Sequence, residues 1–357
     1  MAELDFLAEL RAIATHPAAR GLLDDAAVLE VGGKRLILTC DTLVEGVHFL
    51  ASDPAETVAW KLLAVNLSDL AAKGAAPLGV LMGYSLTGDA DWDAAFVRGL
   101  SEALGHFDVP LLGGDTVSAT QRSLSLTAIG EASGTVPSRS GAREGDALFV
   151  TGVIGDAGQG LRLLQQLSGK GQLSGEGRFS REGQFSGEGR SPDQSNQSRE
   201  AAFSGSGAGS ASELRPSPEN KFLPETLLID AYHRPQPQLA AGRVLAAQVT
   251  AMMDVSDGLL IDATRLASAS GCAAMIDLDV IPLSDAFRTV TGSDLGARLT
   301  AATAGDDYQL LFTSSLPLPN IPCPVTRIGK MVRGSGLQLT SEGRPVALPE
   351  RLGWLHA

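Results

Sequence analysis

The chain has 357 residues, 44% of them hydrophobic and 19% charged, enough for one large or two medium folded units with their own cores. Its 41 acidic and 28 basic residues leave a formal net charge of -13, which disfavours a nucleic-acid backbone as partner. A negatively charged small substrate would therefore need local cations to enter, either metal ions or a few Arg and Lys side chains.

In chain order, the amino terminus MAELDFLAEL carries acidic residues where a signal peptide carries positive charge. No apolar run approaches the ~18 to 20 residues of a bilayer span, so no membrane contact is expected and the cytoplasm is the expected location. Arg35 to Asp41 reads as a strand ending on an acidic residue. From Glu56 to Lys73 the apolar positions Ala59, Leu62, Leu63, Leu67 and Leu70 recur at helical spacing, with Gly74 as the stop signal. Ser123 to Gly130 alternates like a half-buried strand. Leu148-Phe149-Val150 is followed by a glycine stretch, Gly152 to Gly160, and a helical run to Leu167. Those glycines either pack a tight strand-to-helix turn or approach a ligand; they do not have the G-x-G-x-x-G dinucleotide spacing. Composition then breaks over 168–222, where an imperfect six-residue period (GQLSGE, GRFSRE, GQFSGE) leads into a Ser/Gly/Gln/Pro-rich stretch. Six residues with one apolar side chain bury no shared core, so a disordered insertion is expected. Its seven acidic and seven basic residues cancel, which leaves the -13 to the rest of the chain. Finally, Leu259, Leu260, Ala263, Leu266 and Ala267 form a second helical stripe, which sets Asp254 at a strand-to-helix junction.

Three cysteines, Cys40, Cys272 and Cys323, lie far apart without CxxC spacing, so neither a disulfide framework nor a zinc site is implied. Cys40 reads as a buried strand-end thiol. No Walker loop, G-x-S-x-G elbow or metal-binding histidine spacing is present. The signal is instead a set of acidic clusters at element ends: Asp24-Asp25, Thr39-Cys40-Asp41, Ser68-Asp69, Gly114-Asp115, Asp254-Val255-Ser256-Asp257 and Asp306-Asp307. Each alone also suits a helix cap or turn. Together, carboxylates with hydroxyls are the hard oxygen ligands of Mg²⁺, which bridges to phosphate oxygens. His48 suits either a satisfied turn histidine or a contact to an anionic substrate.

Six stretches in order resemble the thiamine-monophosphate kinase family, within the superfamily of aminoimidazole ribonucleotide synthetase. They are DTLVEGVHF at 41–49, KLLAVNLSDLAAKGA at 61–75, LLGGDT at 111–116, SRSGAREGD at 138–146, DVSDGL at 254–259 and AGDDYQLLF at 304–312. The resemblance implies ATP-dependent phosphorylation of thiamine monophosphate to thiamine diphosphate, with several Mg²⁺ ions holding two anions in line. Phosphoryl transfer demands positioning and charge neutralisation more than a covalent nucleophile, so no nucleophile is expected.

The same resemblance implies metal binding by Asp25, Thr39, Cys40, Asp41, Asp69, Asp115, Asp254 and Asp257. It implies an ATP site at Gly114, Asp115, Arg139 and Ser256, and a substrate side at His48, Asp306 and Trp354. Trp354 would pack the thiamine rings or close the site; as a residue near the end of the chain it also suits a tail docked on the core. Three positions depart from the family pattern. Leu23 stands where the family has Gly, which puts the shape of that turn in question. Cys40 replaces Thr and loses a side-chain oxygen, and Asp306 replaces a longer Glu. The implied fold is α/β (α+β), with an amino-terminal ATP- and metal-binding domain over 1–137 whose sheet pairs in a homodimer. A carboxy-terminal α/β domain over 138–357 would hold the insertion. A catalytically silent nucleotide-binding or interaction protein of the same fold, or another ATP-using superfamily member, is the rival reading.

Overall fold

A computed structural model describes residues 3–173 and 223–354. The insertion expected over 168–222 lies outside them, apart from its first six residues, which continue a helix.

The chain opens with α1 (Glu3–Ile13), then builds a five-stranded sheet from β1 (Ala27–Val31), β2 (Lys34–Val44), β3 (Ala76–Leu86), β4 (Leu111–Ser118) and β5 (Ser123–Ala132). The order is β1-β2-β5-β3-β4, antiparallel except for the β3–β4 pair. The alternation read in the sequence is visible in β5, where Leu124, Leu126 and Ala128 are buried and Ser123, Ser125 and Thr127 are not. The buried face packs on α2 (Ala55–Ala72), beside which lies α3 (Ala90–Phe107). Helix α2 is enclosed almost all round, from Val58 to Ala72. It stops at Gly74, whose φ of +63° L side chains rarely adopt and whose added Cβ would stand 2.4 Å from Ala246 Cβ.

The second sheet has seven strands: β6 (Ala147–Thr151), β7 (Ala251–Asp254), β8 (Ala273–Asp277), β9 (Leu310–Ser314), β10 (Val325–Val332), β11 (Gly336–Ser341) and β12 (Arg344–Val346). They run in the order β12-β11-β8-β10-β6-β9-β7. Helices α4 (Asp156–Leu173), α5 (Pro224–His233), α6 (Leu239–Leu245), α7 (Leu259–Ala269), α8 (Asp285–Thr291) and α9 (Leu295–Ala302) accompany it. The core of this half gathers Leu259, Leu260, Ala263 and Leu266 of α7 with Met253, Ile276, Phe287 and Leu311. Ala71 and Ala72 of α2 pack instead with Ala241, Leu245, Met252 and Phe312, so α2 belongs to both halves.

The glycine stretch resolves as packing. A Cβ on Gly155 would stand 2.5 Å from Ala301 Cβ, and one on Gly158 would stand 2.3 Å from Ala304 Cβ. Those glycines let α4 press against α9 and the segment after it.

Candidate active site

The two halves meet in a group of buried acids. β7 ends at Asp254, the junction expected from sequence, and the carboxylate accepts a 2.7 Å hydrogen bond from the Ser68 hydroxyl on α2. Asp69, the next residue on α2, accepts from Thr39 on β2. Two residues further along β2 on the same face, Asp41 donates its backbone N–H to Asn66 Oδ1 at 3.0 Å. Asp25 enters just before β1, and carboxylate oxygens of Asp25, Asp69 and Asp254 lie within 4.8 Å of one another.

Burial and mutual repulsion disfavour charge here. Burial, then the charges of Asp25 and Asp257, push Asp41 up to about 6. Asp254 is pushed to about 8 by burial and by Asp25, and Asp69 well above the carboxylate range by burial, Asp41 and Asp254. Asp25 differs, because two cations face it. Arg139 binds its Oδ1 and the fully buried Lys73 lies 2.6 Å from Oδ2. The lysine is out of line for a hydrogen bond, so that buried oxygen has no hydrogen-bond partner. Burial lowers the Arg139 pKa, but Asp25 outweighs it and holds the guanidinium above its ordinary value. Lys73 also grips Asp24, which Arg20 binds from the other side. Burial would raise Asp24; those two cations win and hold it below the usual range.

The turn into Asp24 and Asp25 has left-handed φ at Arg20, Gly21 and Leu22, whereas Leu23 has an ordinary φ of -116°. The positive φ therefore falls one residue before Leu23, and the missing glycine there costs no backbone strain.

Asp257 lies in the loop after β7, and a residue missed in sequence organises that loop. Asp262, in the first turn of α7, accepts the backbone N–H groups of Ser256, Asp257 and Gly258 on one oxygen, at 3.1, 3.1 and 3.2 Å. Arg265 bridges Asp262 and Asp257. The Ser256 carbonyl accepts from the Asp306 N–H at 2.7 Å, and the Asp257 carbonyl accepts from the Trp354 N–H at 2.8 Å. Trp354 is thus anchored by its backbone while its side chain stays half exposed. Asp306 meets the His48 segment through Lys61, whose Nζ donates to Asp306 Oδ2 at 2.7 Å and to the His48 carbonyl at 3.4 Å. His48 Nδ1 accepts the Val44 N–H at 3.1 Å.

Two sequence expectations change. Cys40 is exposed and mid-strand, because β2 runs on to Val44 and alternation turns its thiol away from the face of Thr39 and Asp41. Gly114 and Asp115 stand apart from the acids. The register aligns Asp41, Leu126, Met82 and Gly114 in one row across β2-β5-β3-β4. Three strand spacings put Gly114 about 14 Å from Asp41, and Asp115 is exposed on the edge strand.

Lys61 and Lys73 were also missed as site residues. The available signal was their place in the 61–75 stretch, one inside and one at the end of an otherwise buried helical run.

Comparison with known proteins identifies the family. The family model for the AIR synthase related protein, N-terminal domain, matches residues 23–132, and its C-terminal counterpart matches 201–315. The thiamine-monophosphate kinase of Caulobacter vibrioides is 34% identical over 99% of this chain and 90% of its own length. Among solved structures, AaThiL complexed with AMPPCP and TMP superposes with a TM-score of 0.75 at 27% identity, covering 99% of this chain and 97% of that one. The thiamine-monophosphate kinase of Stenotrophomonas maltophilia gives 0.66 at 32% identity, with 97% of each chain covered. The chain belongs to the thiamine-monophosphate kinase family, built on the two AIR synthase related domains.

Proposed function

We propose that this protein transfers the γ-phosphoryl group of ATP to the phosphate of thiamine monophosphate, giving thiamine diphosphate and ADP. The observation that carries the reading is the buried Asp25–Asp69–Asp254 cluster, drawn from both halves, with cations paired to Asp25 but none to Asp69 or Asp254 among the described residues. Its chemistry fits Mg²⁺: hard carboxylate oxygens close together. When bound there, Mg²⁺ neutralises phosphate charge and aligns donor with acceptor. Asp25, Asp41, Asp69, Asp254 and Asp257 are the residues assigned to hold it, with Thr39 orienting Asp69 and Cys40 able to offer only its backbone carbonyl.

Arg139 and Ser256 are assigned to the nucleotide phosphates, Arg139 because a guanidinium pairs with phosphate oxygens in fixed geometry. His48, Asp306 and Trp354 are assigned to the acceptor, the carboxylate facing the thiazolium cation and the indole covering a ring. No general base is required, since the acceptor phosphate is already ionised at neutral pH.

Gly114 and Asp115 join this assignment through a homodimer. The face of the first sheet opposite α2 carries Leu29, Leu36, Leu38, Thr127, Ile129 and Leu81, and β4 is the sheet's exposed edge. A second copy seated there would bring its own Asp115 beside this chain. We take the domains as 1–137 and 138–357 and the location as cytoplasmic; among the described residues, no helix is long and apolar enough to cross a membrane.

The test is formation of ADP and thiamine diphosphate from ATP and thiamine monophosphate, with thiamine and aminoimidazole-pathway substrates run alongside. Magnesium-dependent thiamine diphosphate is the expected product. Bound ATP with no product under any substrate would replace the kinase with a silent nucleotide binder.

A further inference from the structure

Asp306 is held with unusual completeness for a loop residue. Its φ of +62° is left-handed, as is that of Tyr308 at +49°. Such backbone persists in non-glycine residues when the surroundings fix it, here through Asp306 N–H to Ser256 and Tyr308 N–H to the Val255 carbonyl at 2.8 Å. Both carboxylate oxygens are then occupied. The Tyr308 hydroxyl donates to Oδ1 at 3.0 Å, and Lys61 Nζ donates to Oδ2 at 2.7 Å.

Lys61 itself is enclosed, with 3% of its side chain exposed against 30% for Asp306. Its ammonium lies 3.9 Å from the centroid of the Tyr232 ring and donates to the His48 carbonyl. Tyr232 is fixed in turn by donating to Asp53 Oδ2 at 3.0 Å. One lysine on α2 thus joins the His48 segment, α5 and the Asp306 loop. The pair meets solvent acid first, its cation hidden behind.

We propose that Lys61 is a positioning residue that sets acceptor selectivity by aiming the Asp306 carboxylate at a fixed positive charge on the incoming phosphate ester. The inference rests on the kinase reading and deepens it. The Asp306 side chain is short, so its direction depends more on what grips it than on its own reach. A cationic acceptor gains from the aimed carboxylate; an acceptor with a neutral ring of the same shape gains little.

Steady-state kinetics on the full chain test it, with K61M, D306N and the double variant assayed on thiamine monophosphate and on its uncharged 3-deaza analogue. We expect K61M to raise the acceptor KM about tenfold, with ATP KM and kcat within about twofold, as expected when binding shared by ground and transition states is lost. The preference for the cationic acceptor falls by a similar factor, and the double variant is no worse than D306N. If K61M fails to fold, K61R carries the test: its planar fork cannot keep the three contacts, and the acceptor KM rises about threefold. An unchanged acceptor KM, an unchanged preference, or losses that multiply in the double variant would overturn the Lys61 assignment alone. A wild type that forms no thiamine diphosphate overturns the kinase reading and this inference with it.

Discussion

The two ends of α2 handle charge in opposite ways. At Lys61 a single cation meets a single carboxylate, and both oxygens of Asp306 are satisfied. Toward its other end, Asp69 joins Asp41 and Asp254, three acids whose proton affinities are raised by burial and by one another, while Lys73 and Arg139 serve Asp24 and Asp25. At the paired end the carboxylate is fixed in direction before any ligand arrives. An under-neutralised end stores a demand for cations, which binding a metal–nucleotide complex would satisfy.

Breaking the contrast at its charged end has the largest expected effect. Asp41→Asn removes a charge and a hard oxygen from the cluster and is expected to lower turnover by about 10³-fold, with circular dichroism unchanged. Unchanged turnover would remove Asp41 from the metal site. Next is Lys73→Met, which strands Asp24 and Asp25 with one cation each; urea unfolding is expected to show a loss of about 3–5 kcal/mol.

Proton linkage sharpens the comparison without a mutation. Asp41, Asp69 and Asp254 bind protons more tightly folded than unfolded, so their stabilisation is present below the ordinary carboxylate range and lost as pH rises through about 6 for Asp41 and about 8 for Asp254. Asp24 has the opposite sign and loses its contribution below that range. Without added metal, unfolding midpoints should therefore decline as pH rises from 5 to 8. Saturating Mg²⁺ should flatten the slope; an equal slope with and without it would mean the cluster takes no metal.

The smallest effect belongs to Cys40. Its thiol faces away from the acids, so Cys40→Ser is expected to change kcat by less than about twofold. A larger loss would place the thiol itself in the chemistry.

Much of this arrangement was legible in the sequence. The period of α2, its stop at Gly74 and the acidic end of β7 follow from local patterning, and the acids Asp25, Asp69 and Asp254 stand out at element ends. What escaped depends on chain segments far apart. Lys73 meets Asp24 across 49 residues and Lys61 meets Asp306 across 245, distances at which no periodicity speaks. Cys40 was misread because a strand-end reading stopped three residues before β2 does. The separation of Asp115 follows from strand order, since β5 and β3 lie between β2 and β4.

Helix α2 also works as a gauge. Lys61 and Asp69 are eight residues apart on one buried rod, so about 12 Å of rise separates the Lys61–Asp306 pair from the acid end, and no loop can alter it. Deleting one residue between them would shorten the span by about 1.5 Å and swing Lys61 by about 100° relative to Asp69. The helix therefore tolerates changes of side chain far better than changes of length, and the distance between the Lys61–Asp306 pair and the buried acids is written into its residue count.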